Sequence, residues 1–153
     1  MAHPARTPEE LREHIAARLT PSGACLIWPG ASFKNGYGLI RYGGKYHFVH
    51  RLYWSLTVGE IPDGMFIDHI CHNKLCANLE HLRVVTPKQN SENRPGAQPN
   101  SKTGVRNVIQ RRGGYTVSVC HYGKKHYGGY FKTLQEADAA ATALRQQLFT
   151  HSN

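Results

Sequence analysis

Leu11, Ile15 and Leu19 recur at four-residue spacing, which lays one apolar stripe along a helix. Thr7-Pro8-Glu9-Glu10 supplies its start, with Thr7 as N-cap, Pro8 in the first turn and Glu10 closing a capping box. Pro21-Ser22-Gly23 ends it, and the helix is expected to pack on the neighbouring domain. Beyond it the period changes. Residues 25–28 read as a short strand, and 37–42 and 45–49 flank Gly43-Gly44, a two-residue hairpin signal. Residues 50–58 suit a short helix with Leu52, Tyr53 and Leu56 facing a core. Residues 65–69 are strand-like, a loop rich in Cys, His and Asn comes next, and 82–85 form a second strand. Thr86-Pro87 repeats the cap-plus-proline signal and opens a helix over 88–93. The span 65–93 therefore reads as strand, loop, strand, helix.

The stretch Arg94-Pro95-Gly96-Ala97-Gln98-Pro99-Asn100-Ser101 has the composition of a linker. After it, 105–110, 115–122 and 125–131 read as strands, with turns at Gly113-Gly114 and Gly123-Lys124. Residues 133–148 form a helix whose inner face carries Ala137, Ala140, Ala141, Leu144 and Leu148. The predicted fold class is α+β. Its parts are an N-terminal helix (1–23), a mixed domain (24–94), a linker (95–102) and a three-stranded antiparallel sheet with one packed helix (103–153).

Charge sharpens the picture. A net charge of +9 on 153 residues points to a polyanionic partner, nucleic acid first and an acidic membrane surface second. Residues 96–153 hold eight Lys and Arg against two acids, whereas the first 95 hold eleven against eight. The C-terminal third is the more obvious electrostatic docking surface. No apolar run reaches membrane length and the first 18 residues carry charges throughout, so the expected location is intracellular, in the cytoplasm. In a reducing compartment the four cysteines read as ligands or buried thiols rather than disulfides.

The informative stretch is Asp68-His69-Ile70-Cys71, then Cys76, His81 and Asn90. Cys71-x4-Cys76-x4-His81 offers two thiolates and an imidazole, which suit tetrahedral zinc. Cys25, at the start of a strand able to pair beside the loop, is the best fourth ligand; Cys120 lies mid-strand in the other domain. The plain alternative is two packed thiols and an unrelated histidine. Residues 70–80 have almost nothing to bury, and a bound zinc can supply folding free energy on the order of 10 kcal/mol in place of a core. Four protein ligands make such a site closed and structural, which leaves His69 for other work. Hydrolysis of a phosphodiester needs a deprotonated water and a cation facing the charge that develops on phosphate and leaving group. His69 is a candidate general base, and Asp68 and Asn90 offer hard oxygen ligands suited to magnesium.

The run Asp68-His69-Ile70-Cys71-His72-Asn73-Lys74-Leu75-Cys76-Ala77-Asn78-Leu79-Glu80-His81-Leu82 resembles the motif of the His-Cys box homing endonucleases, a branch of the HNH, or ββα-metal, superfamily. The continuation 86–94 resembles the end of the motif in phage-type HNH endonucleases. The resemblance covers about residues 24–94. It implies a zinc-stabilised nuclease domain in which His69 activates water, and Asn90 and Asp68 hold a catalytic divalent ion, magnesium or another. Cys25, Cys71, Cys76 and His81 would hold the structural zinc. Many HNH proteins carry asparagine where His81 stands; zinc ligation explains the replacement, and without zinc His81 would support His69 directly. The family also grips the cut phosphate with an upstream strand arginine, for which Arg41 is the first choice and Arg51 the second.

Ser101-Lys102-Thr103-Gly104-Val105-Arg106, Gly128-Gly129-Tyr130-Phe131 and Leu134-Gln135-Glu136-Ala137 resemble an apetala-type domain, known from plant ethylene-response factors. The resemblance implies a three-stranded sheet laid into the major groove of double-stranded DNA. Arg106, Arg111, Arg112, Tyr115, Lys124 and Lys125 are its candidate DNA contacts, arginine suiting guanine edges and lysine phosphate. A solvated basic face with core aromatics is the alternative. The function expected is a homing-type or phage HNH DNA endonuclease, with a restriction or defence nuclease sharing its chemistry. The rival is a non-catalytic, zinc-containing, sequence-specific DNA-binding protein. A double-strand break needs two active sites or two visits by one, which leaves room for a homodimer, although no heptad or apolar interface marks one.

Overall fold

The computed structural model describes residues 6–150, and the chain divides into two compact units, one ending at Pro87 and one beginning at Lys88. In the first unit α1 (Pro8–Arg18) starts as its sequence dictates. The Thr7 hydroxyl accepts from the Glu10 amide at 3.2 Å while the Glu10 carboxylate accepts from the Thr7 amide at 2.8 Å. The helix stops at Arg18, and the residues expected only to terminate it form β1 (Thr20–Ser22), paired antiparallel with β2 (Cys25–Ile27). Pro21 is tolerated because the strand lies at an edge, where a missing amide costs no ladder bond.

β3 (Leu39–Tyr42) and β4 (Lys45–Phe48) close over Gly43-Gly44. The two glycines have φ of 55° and 77°, the pair of left-handed positions that a two-residue hairpin turn demands. α2 (Val49–Thr57) continues without a break. Leu11 and Ile15 of α1 pack with Trp28, Ile40, Val49 and Ala77, and with the half-buried Leu52, Tyr53 and Leu56 of α2, as the core of this unit. Burial of each large apolar side chain contributes about 1.5–3 kcal/mol.

β5 (Phe66–His69) and β6 (Leu82–Val85) pair antiparallel, with Asp68 opposite Arg83 and His69 opposite Leu82. A single 3-10 turn (Leu79–His81) leads into β6, and α3 (Pro87–Glu92) comes directly after Thr86. Residues 66–92 thus run strand, loop, strand, helix, the order of a ββα-metal fold.

The second unit holds β7 (Val108–Arg111), β8 (Gly114–His121) and β9 (Lys124–Phe131) in one antiparallel sheet, order β7-β8-β9, and α4 (Leu134–Leu148). Val108, Val117, Ala137 and Ala141 form its core, joined by Tyr115, Phe131, Leu134, Ala140 and Leu144. Two details differ from the sequence pattern. β7 begins at Val108 rather than 105, because Asn107 takes a left-handed φ of 66° and breaks the run. The turns fall one residue earlier than expected, at Arg112-Gly113 and Tyr122-Gly123, since Arg111 pairs with Gly114 and His121 with Lys124. Tyr122 and Gly123 both have positive φ, 48° and 75°, so a tyrosine stands where glycine or asparagine is usual. Among the described residues no helix is long and apolar enough to cross a membrane.

Candidate metal centre

β2 is too short to hold the 70–81 loop by sheet pairing alone, so the loop is stitched to it at several points. The Trp28 amide donates to the Leu75 carbonyl at 2.9 Å and the Ala77 amide to the Leu26 carbonyl at 2.8 Å, which brings Cys76 beside Ile27 as an isolated bridge. The Asn78 side-chain amide adds a 2.9 Å bond to the Ala24 carbonyl, and the Ile70 amide donates to the His81 carbonyl across the loop mouth at 2.9 Å. His72 turns the chain with a φ of 57°. The result is one cluster: the ligating atoms of Cys25, Cys71, Cys76 and His81 all lie within 4.8 Å of one another. His81 Nδ1 is 3.5 Å from the Cys25 sulfur and 3.6 Å from that of Cys76. All four expected ligands converge.

The donor set fits a metal ion on its own chemistry. Burial, followed by the neighbouring thiols, pushes the Cys25 thiol up to about 12, and burial likewise raises Cys71. The Cys25 and Cys71 thiols resist ionisation without a cation, and a divalent ion reverses that preference by binding thiolates. No disulfide links the four free cysteines.

Asp68 and His69 sit at the end of β5, both buried. The Asp68 carboxylate accepts from Arg83 Nε at 3.0 Å and Nη2 at 2.9 Å, straight across the strand pair. His69 Nε2 stands 3.0 Å from the Cys76 carbonyl. A carbonyl can only accept, so Nε2 carries the proton and, in the neutral ring, the lone pair is on Nδ1. Burial lowers the His69 pKa; the Cys76 carbonyl and Asp68 oppose the shift without cancelling it, so the ring is neutral at pH 7 and able to take a proton.

Two contributors carry no sequence signal. Arg83 is visible only through strand register. His50, by spacing the mere start of a helix, packs its ring 4.6 Å from that of His69, with Tyr37 5.2 Å from His50 and 5.8 Å from His69. His50 is 5 % exposed and its Nδ1 has no hydrogen-bond partner among the described residues. Burial, then His69 and Arg51, drives its pKa to about 3. Arg41 stands exposed on β3 with its guanidinium 6.0 Å from the centre of the Tyr46 ring, and Arg51 is half-buried in α2.

Residues 47–92 match the HNH endonuclease family. The matched segment holds Asp68, His69, Cys71, Cys76, His81 and Asn90. Among relatives, a protein of Acanthamoeba polyphaga mimivirus named as an uncharacterized HNH endonuclease is 33% identical over 117 residues, covering 76% of this chain and 60% of its own. Protein 7.7 of Escherichia phage T7 is 41% identical over 68 residues, 44% of this chain and 52% of its own. Protein 2.8 of the same phage is 40% identical over 85 residues, 54% of this chain and 58% of its own. The chain spans between half and two thirds of the length of these curated relatives. No solved structure matches it.

In the second unit, Asn90 is exposed on α3. Arg111 and Arg112 are exposed at the β7–β8 turn, and Lys124 and Lys125 are exposed past the β8–β9 turn, at the opposite end of the sheet. Tyr115 is half-buried against the core, and the exposed aromatics are Tyr122, Tyr127 and Tyr130. The Arg106 guanidinium is engaged by backbone carbonyls: Nη1 donates to Glu92 at 2.9 Å and Arg94 at 2.7 Å, and Nη2 to Ser91 at 3.2 Å.

Proposed function

We propose that the protein is a metal-dependent DNA endonuclease that hydrolyses phosphodiester bonds in duplex DNA. The observation that carries this is the match of residues 47–92 to the HNH endonuclease family, on a segment whose histidine is oriented by a carbonyl of the cysteine–histidine cluster. His69 acts as general base: Nε2–H is held by Cys76, and Nδ1 takes the proton from an attacking water. Asp68 and Asn90 hold the catalytic divalent ion, magnesium by the hardness of their oxygens. That ion, when bound, supplies positive charge to the phosphate and the leaving oxygen. Arg83 orients the Asp68 carboxylate through its two charge-assisted bonds. Cys25, Cys71, Cys76 and His81 hold zinc in a closed structural site. Arg41 grips the cut phosphate. The C-terminal sheet, of apetala type by its motif, docks on DNA through Arg111, Arg112, Lys124 and Lys125.

Supercoiled plasmid in magnesium tests this. Wild-type chain should yield nicked or linear product, and His69→Ala should lower the rate by roughly two to four orders of magnitude, the usual worth of a general base. Cleavage at the wild-type rate by the alanine variant removes His69 from its role. No cleavage by wild-type chain that nonetheless binds DNA favours a non-catalytic DNA-binding protein.

A further inference from the structure

α3 is a six-residue helix, too short to hold its shape unaided. The carbonyls of its last turn have no partners within the helix and must find them elsewhere. Arg106 provides them. Its guanidinium donates to the carbonyls of Ser91, Glu92 and Arg94, and Phe149 lies under it at 5.4 Å. Arg145 in turn donates to the Arg106 carbonyl at 3.0 Å, which ties that residue to α4. A second tie acts on the side of the helix. The Glu92 carboxylate, 3 % exposed, pairs with Lys88, accepts from the Thr150 amide at 3.2 Å and hydroxyl at 3.3 Å, and faces His121 at 3.6 Å. Residues before β7, at the end of β8 and after α4 thus converge on one turn of helix.

An arginine with three charge-assisted bonds to backbone and a ring beneath it keeps two of its five N–H donors, and the bonds already made fix where it sits. We propose that Arg106 is a positioning residue: it caps α3 and thereby fixes the turn of helix that carries Asn90, the residue assigned above to the metal. The role given to Asn90 rests on the nuclease assignment; the clamp on α3 does not.

The test uses the full chain with Arg106→Gln and Arg106→Lys, and K124Q/K125Q as the comparison for DNA affinity. Three quantities are read: hydrogen exchange at the Asn93 amide, which closes the last turn onto Gln89; the magnesium concentration giving half-maximal nicking; and duplex affinity without magnesium. Arg106→Gln should speed exchange about tenfold or more by local opening. It should raise the magnesium requirement about fivefold and leave duplex affinity within about twofold, with Arg106→Lys intermediate. Unchanged exchange with about tenfold weaker duplex binding, the pattern expected of K124Q/K125Q, overturns the proposal. Faster exchange with an unaltered magnesium requirement overturns its catalytic half. If Arg106→Gln does not melt cooperatively, Arg106→Lys and Glu92→Gln decide by the same readouts. If wild-type chain nicks no plasmid, the nuclease assignment falls on its own, and exchange and affinity still decide the clamp.

Discussion

His50 shows how much one buried ring can ask of its surroundings. Its folded pKa is depressed from 6.5 to about 3. Below pH 6.5 the unfolded chain binds a proton that the folded chain refuses, so stability is intact above that pH and falls as the solution is acidified toward 3. The slope is about 1.4 kcal/mol per pH unit, or about 2 kcal/mol between pH 7 and pH 5. Denaturant unfolding at the two pH values should show this loss in wild-type chain and a smaller one in His50→Leu. Equal pH dependence in both would mean that the acid lability lies elsewhere. No pattern of neighbours in sequence signals such a residue: His50 is a helix start by spacing, and only the fold places it against His69 and Tyr37. Arg83 is hidden for a similar reason. Its partner Asp68 lies fifteen residues away, and a cross-strand pair is visible only once the register is known.

At the scale of elements, the loop between β5 and β6 is the one that cannot fold on its own chemistry. Its polar side chains bury little, and it is shaped by its hydrogen bonds to the β2 strand and by four donors gathered within 4.8 Å. Removal of metal by a strong chelator should therefore abolish cooperative melting of the first unit, a loss on the order of 10 kcal/mol of folding free energy. Elemental analysis should count about one zinc per chain before treatment, for four ligands close one tetrahedral site. A metal-free preparation that melts as before would show the cysteines to be mere packing. This cluster is legible in the sequence because ligand chemistry is local in type even when distant along the chain. The capping boxes at Thr7 and Thr133 and the Gly43-Gly44 hairpin are legible too, since each is closed by residues a few positions apart. β1 is not: three residues with a central proline carry no strand signal, and only pairing with β2 makes them one. Tyr122 obscures its turn because a tyrosine with positive φ is held by the sheet rather than by its own preference.

For the whole molecule the excess positive charge becomes a pattern. The β7–β8 and β8–β9 turns lie at opposite ends of the same sheet, so Arg111 and Arg112 are separated from Lys124 and Lys125 by the length of β8. Eight residues of strand span about 26 Å. If both ends meet phosphate, changing all four to glutamine should reduce the slope of log affinity against log salt by about 3 to 4, nearly one per charge. Titration of duplex binding across salt concentrations measures it. A slope identical to wild type would show these side chains to be solvated rather than bound.

Cys76 contributes its sulfur to the cluster and its carbonyl oxygen to His69. The two contacts fall on one residue, so a change there reaches both the cluster and the His69 ring. On the roles proposed above, a replacement such as His or Asp would still offer an ion a donor atom, but its different reach would shift the backbone that orients the His69 ring. With His69 as the proposed base, turnover and folding both depend on this one residue. A scan of all substitutions there should find turnover lost in every variant, those that still retain the ion included.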